Sequence, residues 1–284
     1  MGEQMSQLAA LDSVLSAMGE VAVAVSGGVD SLTLAAFAHR MPGQRCVMYH
    51  AVSPAVPNEA TQRTRALAER EGWRLHVIDA GEFDNADYMR NPVNRCFFCK
   101  TSLYGAIRPH TAAQLVSGTN LDDLGEYRPG LLAAREHGVR HPFVEAGLRK
   151  SDVRALARHL GLGGVAELPA SPCLSSRVET GIAIDPAVLA LVHATEQLVT
   201  QAVEPKTVRC RVRATGVVIE LDAATLERLD GREQDALRSR VRDLFAAGGH
   251  DRPVAFEPYR VGSAFLHLKA KSEANRQDQA NRQD

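Results

Sequence analysis

Short apolar runs alternate along this chain with longer stretches whose apolar residues recur every three or four positions, which predicts strands and helices in turn. Residues 4–18 carry Leu8, Leu11, Leu15 and Met18 at helical spacing. Val21-Ala-Val-Ala-Val25 follows as a buried strand, Ser26-Gly27-Gly28 turns the chain, and Asp30 opens a second helical run through Leu32, Leu34, Ala35, Ala36 and Phe37. A second strand is predicted over 45–50, a polar helix over 58–71 after Pro54 and Pro57, and further strands over 73–79, 114–117 and 141–144. Ser151 is read as the cap of a helix through Val153, Leu156, Ala157 and Leu160, which Gly161 ends. Strands and helices in alternation imply an α/β fold, a doubly wound parallel sheet with right-handed crossovers. Ligands of such sheets sit at the carboxyl ends of the strands. The turn at Ser26, the Asp79 region and Gly118-Thr-Asn-Leu-Asp-Asp123 all fall at such ends and are expected to converge.

Beyond a Gly/Pro/Ser-rich loop over 161–181 the pattern changes. Asp185-Pro186 restarts a helix in N-cap and N1 positions, with Val188, Leu191, Val192, Thr195 and Val199 on one face. A strand over 207–213, a turn at Ala214-Thr-Gly216, a strand over 217–221 and helical residues to about 247 follow. This predicts a large domain over 1–180 and a smaller α/β domain over 181–268. Residues 269–284 are a polar tail containing Ala-Asn-Arg-Gln-Asp twice, predicted to be disordered.

Composition narrows the class without choosing a function. A chain of 284 residues, 45% hydrophobic and 24% charged, can bury a sizeable core. A net charge of −1 supplies no global basic field, which argues against a nucleic-acid partner. The N-terminus lacks a signal-peptide pattern and no apolar run reaches membrane-spanning length, so the expectation is a cytoplasmic protein with no membrane partner. Five cysteines, an odd number, read as thiols, ligands or catalytic groups rather than as a disulfide frame.

The strand–turn–helix at Ser26-Gly27-Gly28-Val29-Asp30-Ser31 is the sharpest chemical signal. Glycines let successive backbone N–H groups face one point, and the helix N-terminus adds positive partial charge there, making an anion nest of phosphate size. No Gly-Lys-Ser/Thr follows, so this is not a Walker loop. Cys96 and Cys99 stand at CxxC spacing in the connection after the third strand, and Cys173 lies in the Gly/Pro-rich loop. By chemistry alone the thiols fit a zinc site missing a clear fourth ligand, a redox pair, an iron–sulfur cluster with one iron open, or core thiols. Strand alternation places Arg209, Arg211 and Arg213 on one face, whose default reading is a solvated face. Asp122 and Asp123 read either as metal or ribose contacts or as a simple acidic turn. Cys46 and Cys210 read as strand interior.

The loop at Ser26 resembles the SGGxDS signature of ATP pyrophosphatases. Together with Arg95-Cys-Phe-Phe-Cys-Lys-Thr-Ser-Leu-Tyr104, Gly118-Thr-Asn-Leu-Asp-Asp123, Glu126-Tyr-Arg-Pro-Gly130, Ser151-Asp-Val-Arg-Ala-Leu-Ala157, Ser171-Pro-Cys-Leu-Ser-Ser-Arg-Val178 and Thr207-Val-Arg-Cys-Arg-Val212, the chain resembles the LarE family of ATP-dependent sulfurtransferases. The resemblance implies an ATP-pyrophosphatase (adenine nucleotide alpha hydrolase-like) sheet. It also implies adenylation of the carboxylates of pyridinium-3,5-biscarboxylic acid mononucleotide and their conversion to thiocarboxylates for a nickel-pincer cofactor. Ser26, Gly27, Gly28 and Ser31 would then cradle the phosphates of ATP, and Asp30 would orient Mg2+ or the loop. Asp122 and Asp123 would add contacts, and Arg128, Arg177, Arg209 and Arg211 would bind substrate or phosphate. One form of the family sacrifices a cysteine sulfur; the other holds a 4Fe-4S cluster on three cysteines. The set Cys96, Cys99 and Cys173 resembles the second form, with Cys173 also the residue a sacrificial reaction would consume. The resemblance further implies a sulfide or other sulfur donor and a homo-oligomer, a hexamer built from trimers. Three rival readings are a tRNA thiolation enzyme, an amide-forming synthetase of the same loop class, and a nucleotide-binding module without turnover.

Overall fold

A computed structural model describes residues 2–125 and 128–264. Glu126, Tyr127 and the tail over 269–284 lie outside the described residues. In chain order the elements are α1 (Gly2–Ser16), β1 (Val21–Ala24), α2 (Val29–Arg40), β2 (Cys46–Val52), α3 (Asn58–Glu71), β3 (Leu75–Asp79), α4 (Ala86–Met89), α5 (Arg95–Ile107), β4 (Gln114–Ser117), α6 (Pro129–Glu136), α7 (Pro142–Glu145) and α8 (Lys150–His159). They continue with α9 (Pro186–Val203), β5 (Val208–Arg213), β6 (Gly216–Leu221), α10 (Ala223–Arg228), α11 (Gly231–Ala247) and β7 (Val254–Pro258). These fall into two compact units, one of Met1–Asn85 with Asn94–Pro172, the other of Ala86–Val93 with the residues from Cys173 onward.

The first unit is built on a four-stranded, all-parallel sheet of order β3-β2-β1-β4. Strict alternation sends Val21, Val23, Met48 and Val116 to one face, where they pack with Leu11, Leu15, Leu32, Leu34, Phe143, Val153 and Leu156. Ala22, Val47, Tyr49 and Leu115 go to the other face, against Tyr104, Ile107 and Ala134. Helices thus cover both faces, as an all-parallel sheet requires. The strand order reverses between β1 and β4, so the crevice for a ligand opens where their carboxyl ends part.

The structure departs from two local expectations. The stretch 141–144 is not a fifth strand. Arg140 makes a single parallel bridge to Val116, and Pro142, which has no N–H to give a ladder, starts α7 instead. Nor does Ser151 cap α8: the N-cap is Arg149, whose N–H is accepted by the Asp152 carboxylate at 2.8 Å.

The second unit carries a three-stranded sheet of order β5-β6-β7, antiparallel then parallel. Asp185 caps α9 by accepting from the Ala187 N–H at 2.8 Å. The segment Ala86–Val93 joins this unit through Asn91, whose side chain is fully buried and donates to the carbonyls of Glu179 and Ile182, both at 2.9 Å. Tyr88 adds a 2.7 Å hydroxyl contact to Ser175. Among the described residues no helix is long and apolar enough to cross a membrane.

Candidate active site

In the first unit, the loop after β1 is folded around the buried Ser31 hydroxyl. It accepts from the Ser26 N–H at 3.0 Å, lies 3.1 Å from the Ser26 hydroxyl, and donates to the Gly28 carbonyl at 3.2 Å. Gly27 has φ +79°, and a Cβ there would meet the Ala60 carbonyl oxygen at 2.6 Å, so the turn admits no side chain. The Gly27 carbonyl is held by Arg63 Nη1 from α3 at 2.6 Å. A Cβ on Gly118, after β4, would stand 2.7 Å from both the Asp30 carbonyl carbon and the Ser31 nitrogen. The two diverging loops therefore touch backbone to backbone at the switch point.

His50, fully buried in β2, braces the base of this loop. Its Nδ1 lies 2.8 Å from the Val25 carbonyl and its Nε2 2.9 Å from Thr61 Oγ1. Burial holds its imidazole below the ordinary value, so it is neutral, with Nδ1–H donating. His141 is likewise held low by burial and lies 2.9 Å from Ser117 Oγ.

Asp30 and the acidic turn are more heavily engaged than expected from sequence. Asp30 Oδ1 accepts from Asn120 Nδ2 at 3.2 Å, and Oδ2 accepts from the Lys150 ammonium. Asp122 accepts from the Lys150 N–H at 2.9 Å and from Arg149 at 3.0 Å, and the backbone bond leads in holding its carboxyl below the usual range. Asp123 accepts from the Asn120 N–H at 3.1 Å and pairs with Arg128 at 2.9 Å. Asp122 and Asp123 thus order the turn and pin α8.

Cys96 and Cys99 do not lie in a loop. They occupy the first turns of α5, three residues apart and so on one helix face. A Cβ on Gly130 would sit 3.2 Å from Lys100 Cγ and 3.5 Å from the Cys96 carbonyl oxygen, so α6 packs closely on that turn. Among the described residues no three His, Cys, Asp or Glu side chains are gathered as a metal site. Burial pushes the Cys46 thiol up to about 11 and pushes Cys210 up as well, which suits inert interior thiols.

The second unit gathers Cys173, Arg177, Arg209 and Arg211. Arg177 donates to the Cys173 carbonyl at 3.3 Å and forks onto the Glu196 carboxylate at 2.9 and 3.0 Å. Glu196 also accepts from the Cys210 N–H at 2.9 Å. Arg211 is buried, not solvated: it donates to Glu220 at 2.9 Å and to the Ser176 carbonyl at 3.0 Å, while Arg213 reaches the other oxygen of Glu220 at 2.8 Å. The solvated-face reading of β5 is thereby overturned, because Glu220 from β6 neutralises the buried guanidinium. Arg209 is half-buried, 5.7 Å over the Tyr259 ring, and burial together with the Arg177 charge lowers its pKa.

Sequence reasoning missed Lys150, Asn120, Arg63, Glu196 and Glu220. Asn120 stands inside the quoted turn and Lys150 directly before the quoted Ser151-Asp motif, so adjacency was the available signal. The glutamates gave none, because their partners lie on other elements.

No protein-family model matches the chain. It is 30% identical over 223 residues to a pyridinium-3,5-bisthiocarboxylic acid mononucleotide synthase of Lactiplantibacillus plantarum, covering 77% of this chain and 80% of that protein. It is 38% identical over 180 residues to an uncharacterized protein of Synechocystis sp., 62% of this chain and 67% of the relative. A third relative, uncharacterized and from Methanocaldococcus jannaschii, is 27% identical over 164 residues, 56% of this chain and 61% of its own.

Proposed function

The chain belongs to the family of pyridinium-3,5-bisthiocarboxylic acid mononucleotide synthases, and on that premise we propose that it is an ATP-dependent sulfurtransferase acting on pyridinium-3,5-biscarboxylic acid mononucleotide. The observation that carries the ATP step is the side-chain-free nest at the switch point, where neither Gly27 nor Gly118 has room for a Cβ. Such a nest presents backbone N–H groups to an anion and to little else. ATP fits it, with Ser26, Gly27, Gly28 and Ser31 around the β- and γ-phosphates. Mg2+ fits the half-exposed Asp30 carboxylate, a hard oxygen donor beside those phosphates.

In this reading a substrate carboxylate oxygen attacks the α-phosphorus of ATP. The bond to pyrophosphate breaks, and an acyl adenylate forms. A sulfur nucleophile then attacks the acyl carbon, and the carbon–oxygen bond to AMP breaks, leaving a thiocarboxylate. Two anions must be held together for the first step, so positioning and charge neutralisation do the catalytic work. Arg209, desolvated beside another guanidinium, suits the substrate phosphate. Arg177 and Arg211 act there as a braced rim rather than as swinging hands, because carboxylates already hold them. Arg128, exposed on its pair with Asp123, would meet substrate in the same reading.

The sulfur is assigned to the three-thiol route. Cys96 and Cys99 on one helix face fit two positions of a 4Fe-4S cluster, and Cys173, on an irregular segment, would provide the third. Such a cluster would supply thiophilic iron to a sulfur donor. Assembly as a homo-oligomer belongs to the same reading.

Anaerobic purification tests it. Iron and labile sulfide are expected at about four each per chain. Cys96→Ala, Cys99→Ala or Cys173→Ala should each remove both, and sulfur transfer with them, while pyrophosphate release persists. Iron-free protein in which Cys173 alone is essential, and loses the mass of hydrogen sulfide in turnover, would show the sacrificial route instead.

A further inference from the structure

The loop after β1 has no lysine of its own, yet the fold delivers one. Lys150 stands 120 residues after Asp30 in sequence and closes on that carboxylate. Its main chain is fixed: the Lys150 N–H is bonded to Asp122 at 2.9 Å, the Arg149 N–H to Asp152 at 2.8 Å, and the Leu121 N–H to the Leu148 carbonyl at 3.0 Å. What remains mobile is a flexible four-carbon stem ending in three donors. The ion pair is part-exposed, with side chains 35% and 26% exposed, so water screens it and competes for both charges. Asn120, 2% exposed, fixes the other Asp30 oxygen and so aims Oδ2 outward at the ammonium. Two other cations around the loop have fixed duties, Arg63 on the Gly27 carbonyl and Arg149 on Asp122.

From this arrangement we infer that Lys150 is the exchangeable cation of the phosphate site. It occupies the Asp30 carboxylate while the loop is empty, and it moves onto the phosphate oxygens when a nucleotide-bound divalent cation takes that carboxylate. Two cations cannot share one outward carboxylate oxygen without repulsion, so the arrival of metal and the release of the ammonium are one event. The released ammonium is then a side chain's reach from the nest, where the loop's partial charges alone face a triphosphate. The inference rests on the nucleotide reading above and adds the residue that completes its charge balance.

The test uses Lys150→Met, which keeps the stem and removes the charge, with Lys150→Arg as the rescue. Mn2+ alone, followed by electron paramagnetic resonance on the full chain, should bind several-fold more tightly to Lys150→Met than to wild type, because its competitor has gone. A gain of affinity cannot come from misfolding, and Asp30→Asn should abolish it. Binding of ATP with Mg2+, measured by calorimetry, should weaken on the order of tenfold in Lys150→Met, as losing one charge-assisted contact implies, and should partly recover in Lys150→Arg. Unchanged Mn2+ and ATP affinities in Lys150→Met would overturn the inference alone. A wild-type chain that binds no ATP would overturn the nucleotide reading and this inference with it.

Discussion

In the loop after β1, positive charge comes from a lysine on a part-exposed carboxylate, beside a glycine turn with no room for a Cβ. Around β5 it comes from guanidinium groups clamped onto the part-buried carboxylate of Glu196 and the buried carboxylate of Glu220. The first arrangement is made of main chain, so its shape depends on where side chains are absent. The second is made of long side chains, so its shape depends on each charge having a partner. One should fail by crowding and the other by unbalanced charge.

The largest effect is expected from unbalancing the second. Glu220 is 1% exposed and serves both Arg211 and Arg213. Glu220→Gln leaves the buried Arg211 guanidinium without its counter-charge, while Arg213 keeps Glu257 at 3.0 Å, and this should cost about 3–5 kcal/mol of stability. Urea unfolding measures this. A loss below about 1 kcal/mol would mean the cluster is held by packing rather than by charge.

Crowding the first comes next. A Cβ on Gly118 would press on the Asp30 and Ser31 backbone at 2.7 Å. Gly118→Ala should shift the loop and lower pyrophosphate release on the order of a hundredfold, as displacement of a reacting group by about 1 Å does. Mononucleotide binding should hardly change. Equal rates in the mutant and wild type would show that the nest does not hold the phosphates.

Arg209→Ala should give the converse, weaker result. Substrate binding should fall by about 1.5–3 kcal/mol, or on the order of tenfold to a hundredfold, with ATP affinity intact. Calorimetry with each ligand separates the two sites, and a loss of ATP affinity in this mutant would erase the distinction drawn between them.

The smallest effect is in pH. His50 and His141 are held below their ordinary 6.5 by burial, so below that pH the unfolded chain takes up protons that the folded chain refuses. Their contribution is full above about pH 6.5 and is lost as the pH falls through the folded values, by at most about 1.4 kcal/mol per pH unit for each histidine. Melting temperatures between about pH 7.5 and 5.5 should therefore fall less steeply in His50→Gln than in wild type, and parallel slopes would remove His50 from the account.

How much the sequence foretold follows the same division. The turn after β1 was legible because its geometry is local: six consecutive residues set the turn, the absent side chains and the helix start. The short apolar runs over 21–25 and 45–50 likewise anticipate β1 and β2. Lys150 and Asn120 were not legible as partners of Asp30, since those contacts span 120 and 90 residues. The burial of Arg211 was misread because alternation says which face a residue takes, not whether Glu220 waits there. The strand expected over 141–144 failed on the missing N–H of Pro142. The helix α5 went unread because only two of its apolar residues, Tyr104 and Ile107, are buried. The strand β7 was missed because Val254 is its one buried residue and it ends at Pro258.

As a proposed sulfurtransferase, the chain activates a carboxylate with ATP before sulfur reaches it. The direct measurement is product analysis of ATP incubated with the purified protein and Mg2+, with and without pyridinium-3,5-biscarboxylic acid mononucleotide and a sulfide source. AMP and pyrophosphate in equal amounts, formed only when the mononucleotide is present, are the predicted result. Formation of ADP and inorganic phosphate, or thiocarboxylate made with ATP left intact, would contradict it.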